Sequence, residues 1–138
     1  MASALLLLLA AQVTNFNLRG LDRAITKIYP VDAANFLRRT PLPGPLYNSF
    51  DFGGFLTFYL PTYPVSIDGR TDLYGAAMNE RYMKTENADP SYISDPCLNA
   101  AGLLMLKSKF PLAKLLVVDP RFRVLYQDDV ATVLARNF

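Results

Sequence analysis

At 138 residues the chain is long enough for one domain with a sizeable core and too short for two. It is 51% hydrophobic and only 19% charged, against about 25% charged in ordinary globular domains, so more apolar surface than usual seeks a partner, either bilayer or protein. The net charge of +2 is scattered rather than gathered into the basic face that nucleic acid demands, and the lack of histidine excludes Ser-His-Asp and Cys-His catalysis along with the commonest metal ligand.

The chain opens with a run of leucine and alanine at 4–11, extending to Val13 if Gln12 is allowed. Crossing a bilayer takes about 20 such residues, and a signal peptide normally starts with a basic stretch that is missing here. The run therefore reads as the end of a transmembrane helix, as a buried or interfacial helix, or as an atypical signal peptide. Residues 14–28 form a polar connector, helical over 21–28. Residues 1–28 thus make a membrane-proximal tail and 29–138 a single α/β domain.

Pro30 and Asp32 open a short helix, with Asp32 as its cap, Phe36 and Leu37 on its buried face and Arg38-Arg39 where cations suit the helix dipole. Three prolines in 41–45 force a rigid turn into a strand at 46–49. Asp51 is expected to cap the next helix, whose first turn holds Gly53 and Gly54 and whose body is Phe55, Leu56, Phe58, Tyr59 and Leu60. Glycines in a first turn imply a close approach by another group, either a phosphate on the backbone amides or, more ordinarily, the adjacent sheet. Val65-Ser66-Ile67 reads as a β-branched strand ending at Asp68-Gly69-Arg70, completing a compact βαβ unit.

A helix over 74–84 follows, with Leu73, Ala77 and Tyr82 inward, stopped at Asn87-Ala88-Asp89-Pro90. Residues 102–106 form a further strand and 110–118 a helix with Pro111 in its first turn. A hairpin closes the chain, its strands at 123–126 and 130–135 and its turn at 127–129, where Asp128-Asp129 are ordinary turn residues. The lone Cys97 cannot make an internal disulfide and reads as a half-buried thiol with no neighbouring cation pattern. The fold class is α/β: a small mixed sheet of about five strands with packed helices and a C-terminal β-hairpin, preceded by a short apolar N-terminal helix.

This layout puts Asn48, Asp68, Arg70 and Asp72 at the carboxyl ends of parallel strands, the usual ligand position in such sheets. They are the ligand-binding candidates. Without a ligand, Arg70 can fork onto one carboxylate while Asn48 bonds a neighbouring loop backbone. With one, two carboxylates could flank a sugar bond, although Asp68 and Asp72 do not form an Asp-x-Asp metal pattern. No catalytic residue, cofactor or metal ligand is assigned.

Tyr29-Pro30, Tyr47-Asn48, Gly53-Gly54-Phe55-Leu56, Ile67-Asp68-Gly69-Arg70 with Tyr74, and Tyr126-Gln127-Asp128-Asp129 before a strand ending at Arg136 occur in an order that resembles the C-terminal soluble region of bacterial polytopic membrane glycosyltransferase-like proteins, the lipid-linked-sugar mannosyltransferase-like class. The resemblance covers roughly 29–136. It implies a non-catalytic extracytoplasmic domain at the periplasmic face, following the last span of such a protein, with residues 4–13 meeting membrane or a membrane-protein partner. A small accessory subunit of a membrane complex and a glycan or sugar-phosphate binding module remain open. Nucleic acid is not an expected partner.

Overall fold

The computed structural model describes residues 18–137, so the expected apolar helix at 4–13 lies outside the described residues. Helix α1 spans Leu18–Ile28 and α2 Val31–Arg39, followed by strand β1 at Leu46–Asn48. A 3-10 turn at Phe50–Phe52 runs into α3, Gly53–Tyr59, and a loop leads to α4, Thr71–Glu86. A second 3-10 turn, Pro90–Ser94, precedes α5, Pro96–Ala100; then come β2, Leu103–Lys107, α6, Pro111–Val117, and the hairpin of β3, Phe122–Gln127, and β4, Ala131–Arg136. The sheet order is β1-β2-β4-β3, with β1 parallel to β2 and the other pairs antiparallel.

Both faces of this sheet are covered, and the strand pleat explains how. In β2, Leu103 and Met105 point into one core while Leu104 and Leu106 point into the other, the alternation a doubly buried strand requires. The first core takes Ala33, Ala34 and Leu37 from α2 and Leu56 from α3; the second takes Tyr82 from α4, Leu98 from α5, and Leu112 and Leu116 from α6. Central β4 is buried along Ala131–Ala135, whereas edge β3 exposes Arg123 and Val124. The hairpin turn is made by Asp128, whose Oδ1 accepts the N–H groups of Val130 and Ala131 at 2.7 Å each and whose Oδ2 accepts the Tyr126 hydroxyl at 2.6 Å.

The sheet has four strands rather than five, because 65–67 does not join the backbone ladder. That segment runs beside β1 but is held by side chains. The Ser66 N–H donates to Asn48 Oδ1 at 2.9 Å, Asn48 Nδ2 donates to the Ile67 carbonyl at 2.8 Å, and the Asn48 N–H donates to Ser66 Oγ at 3.2 Å. One amide side chain thus takes the place of a strand partner and covers the free edge of β1.

Helix starts also differ from expectation. Pro30, not Asp32, is the N-cap of α2, leaving Asp32 in the first turn, where its charge still suits the dipole. Asp51 lies in the 3-10 turn and pairs with Lys107 instead of capping α3. Helix α4 begins at Thr71 and is kinked at Gly75, whose φ of 74° a side chain would disfavour. The kink turns Leu73 and Ala77 outward, and of the three residues expected inward only Tyr82 is buried. The Cys97 thiol does have a cation beside it: Arg81 Nη2 donates to its Sγ at 3.5 Å, across 16 residues of sequence.

Candidate functional site

Three of the four candidates converge at the carboxyl end of β1. Asn48 is fully buried, and besides its bonds to Ser66 and Ile67 its Nδ2 donates to the Ser49 carbonyl at 3.0 Å and its Oδ1 accepts from Ser66 Oγ at 3.2 Å. Both donors and both acceptor directions of the amide are therefore spent on protein. Asp68, nearly buried, accepts Arg70 Nε on both oxygens at 3.0 and 2.9 Å and Arg70 Nη2 at 2.8 Å, together with the Arg70 backbone N–H at 3.0 Å. These bonds, with the Arg70 charge and the Tyr74 hydroxyl, hold the Asp68 carboxyl below its ordinary range despite its burial. Asp72 stands exposed in the first turn of α4, and none of these bonds reaches it.

Of the three that converge, only Arg70 offers solvent a charged group, its side chain being 64% exposed. Next to it lies a cleft of about 470 Å³ lined by Tyr29, Phe50, Asp51, Gly54, Phe55 and Gly69. Gly53 does not line that cleft. A Cβ built on it would sit 2.0 Å from the Ile67 carbonyl oxygen, so this glycine exists to let α3 pack on the 66–68 loop. A Cβ on Gly54 would meet nothing within 4 Å. Of the two readings of the glycine pair, packing accounts for Gly53.

Behind the candidates is a buried polar layer absent from the sequence-based expectation. The Tyr82 hydroxyl donates to the Asn48 carbonyl at 2.6 Å and lies 2.7 Å from Ser66 Oγ, and its ring stacks on Tyr47 at 4.7 Å. The Tyr47 hydroxyl is buried with no hydrogen-bond partner of good geometry; burial, and then Tyr82 beside it, push it far above the ordinary phenol range. Glu86 is also buried; Phe50 N–H donates to its Oε1 at 3.2 Å. Asp95 caps α5 through the Leu98 N–H at 2.8 Å, accepts Thr85 Oγ1 at 3.0 Å and lies 3.2 Å from Arg81 Nε, an ion pair whose angle is too poor for a hydrogen bond. Partners 10 to 36 residues apart leave no local pattern, so only the apolar neighbours of Ser66 and the helical position of Tyr82 hinted at the network.

Burial raises the Glu86 pKa above its ordinary 4.5, the largest of its causes, with only partial relief from Ser49 and Phe50. A raised carboxyl binds its proton more tightly folded than unfolded, so its charge subtracts stability as pH climbs from 4.5 through the folded value. Glu86→Gln keeps an oxygen for the Phe50 N–H. It is expected to be more stable than the parent at pH 7, the advantage vanishing below pH 4.5, as urea melts at the two pH values would read. The depressed Asp68 works in the opposite sense, losing stability as pH falls, and cancels in that comparison.

No helix among the described residues is long and apolar enough to cross a membrane, and no three metal-ligating side chains gather among them. Compared with protein-family models, curated proteins and solved structures, the chain matches none.

Proposed function

We propose that this chain is a non-catalytic extracytoplasmic domain of a membrane glycosyltransferase-like protein, tethered to its membrane part through residues 4–13. The observation that carries the reading is the self-satisfaction of the polar cluster. Asn48 bonds Ser66 and Ile67, Gly53 packs on Ile67 and Asp68, and Asp68 bonds Arg70, so the motif residues that resemble such proteins spend their polar groups on the fold, as a structural latch does. In such a protein the sugar transfer belongs to the membrane-embedded part, and this domain supplies a rigid body beside it.

A binding module for a glycan or sugar phosphate is the second reading, favoured by the exposed Arg70 guanidinium next to an aromatic cleft. Membrane fractionation of the native protein, followed by its apparent mass in mild detergent, tests the first reading. Sedimentation with membranes in a larger particle or longer polypeptide is expected; a small, unattached soluble species overturns it. Arg70→Ala separates the two roles. As part of a latch it lowers the melting temperature by a few degrees, because Asp68 loses its guanidinium and keeps only the backbone N–H of residue 70 and the Tyr74 hydroxyl, and changes no sugar binding. Loss of sugar-phosphate binding at an unchanged melting temperature would establish the binding module instead.

A further inference from the structure

Helix α1 has an apolar face formed by Leu21, Ala24, Ile25 and Ile28 and a polar face carrying Asp22, Arg23, Thr26 and Lys27. In a helix of a globular protein the apolar face packs inward; here much of it is open. Leu21 and Ala24 are exposed, and Ile28 is 63% exposed. The surface continues past the helix end. Tyr29 stacks on Phe55 at 5.1 Å, Phe55 stacks on Tyr59 at 4.7 Å, and Phe58 on the outer side of the same helix, α3, is 88% exposed. Cations border it: Arg23 and Lys27 along α1, and Arg38, whose guanidinium lies 4.8 Å over the Tyr59 ring. Acidic Asp22 is the one opposing charge on α1.

From these observations we infer that α1 and the outer side of α3 form a docking surface for an anionic phospholipid bilayer, with Leu21, Ile28 and Phe58 entering the interface. The inference deepens the membrane reading and rests on it. Its occupant follows from chain geometry. Only residues 14–17 separate the apolar run 4–13 from Leu18, so five residue steps, at most about 18 Å, join the two. Once that run lies in an apolar phase, the start of α1 is held within that distance of it. An amphipathic helix there settles in the interface plane, apolar side down and cations toward the lipid phosphates. Aromatic rings flanked by cations favour the same boundary.

The full chain contains no tryptophan, so Phe58→Trp introduces a single tryptophan, excited selectively over the tyrosines at long wavelength, at a position too exposed to disturb the core. Val118→Trp, at an 81% exposed position following α6 on the opposite sheet face, is the control. Each variant is mixed with vesicles of phosphatidylcholine and phosphatidylglycerol, with and without brominated acyl chains, and the vesicles are then sedimented. The expected result is sedimentation of both proteins, with a blue-shifted emission quenched by bromolipid for Phe58→Trp and an unshifted, unquenched emission for Val118→Trp. Sedimentation with no shift at position 58 overturns the docking surface while leaving the membrane tether intact. Failure to sediment overturns both, and equal shifts at both positions overturn the assigned face.

Discussion

Gly53→Ala is expected to destabilise the fold severely, while Gly54→Ala, one residue later in the same helix, leaves the fold intact and slightly more stable. The backbone of Gly53 is ordinary helix, φ −57° and ψ −48°, so alanine would be favoured there on conformation alone. What forbids it is space. The added carbon would lie 2.0 Å from the Ile67 carbonyl oxygen and 2.6 Å from Asp68 Cα, both backbone atoms. The 66–68 loop cannot retreat, because Asn48 holds the Ile67 carbonyl and the Ser66 N–H and Tyr82 sits against Ser66. Relief therefore means separating α3 from the loop, at an expected loss of about 4 kcal/mol or more, a large part of the about 5–15 kcal/mol that holds a domain together. At Gly54 the methyl group meets open solvent and helix propensity acts alone, a gain of roughly 0.5–1 kcal/mol. Circular dichroism and urea melts of the two variants read the contrast. A stable, folded Gly53→Ala protein would show that the loop is looser than its bonds imply.

The parts of this fold that were legible in the sequence are those written in local signals. Pro111 at the start of α6, the prolines before β1 and Asp128 at the hairpin turn each act on backbone within a few residues, and each has its expected role. The failures share a cause in long-range partners. Val65-Ser66-Ile67 has strand composition, but a strand needs a free backbone edge, and the Asn48 side chain fills that edge first. Leu73 and Ala77 have the spacing of a buried helical face until Gly75 breaks the helix between them. Asn48, Asp68 and Arg70 lie near one another because the connection from the end of β1 through α3 back to 66–70 is short, whereas α4 starts at Thr71 and carries Asp72 outward. The Tyr47, Tyr82 and Glu86 layer joins residues up to 36 apart and has no counterpart in local pattern.

Asn48→Ala is expected to cost about 4 kcal/mol, nearly as much as the glycine clash, although it removes only one amide. The Ser66 N–H and the Ile67 carbonyl would be left without their partner beside a buried void, and each stranded buried group costs about 1–3 kcal/mol. Ser49 loses less, since its carbonyl also accepts the Phe52 N–H at 3.0 Å. Asn48→Asp separates polarity from volume. It is close to isosteric and still accepts from Ser66, but the introduced oxygen replaces the donor aimed at the Ile67 and Ser49 carbonyls, so its charge is buried against two acceptors. That carboxyl must titrate above its ordinary value in the folded state, which means its proton stabilises the fold and is lost as pH rises. Its deficit relative to wild type should therefore narrow between pH 7 and pH 5, whereas that of Asn48→Ala should not. Equal and pH-independent deficits would reduce Asn48 to a space filler. A wild-type melting curve for Asn48→Ala would mean the amide is not needed by the fold and is available to a ligand, and the latch on which the non-catalytic reading depends would fail with it.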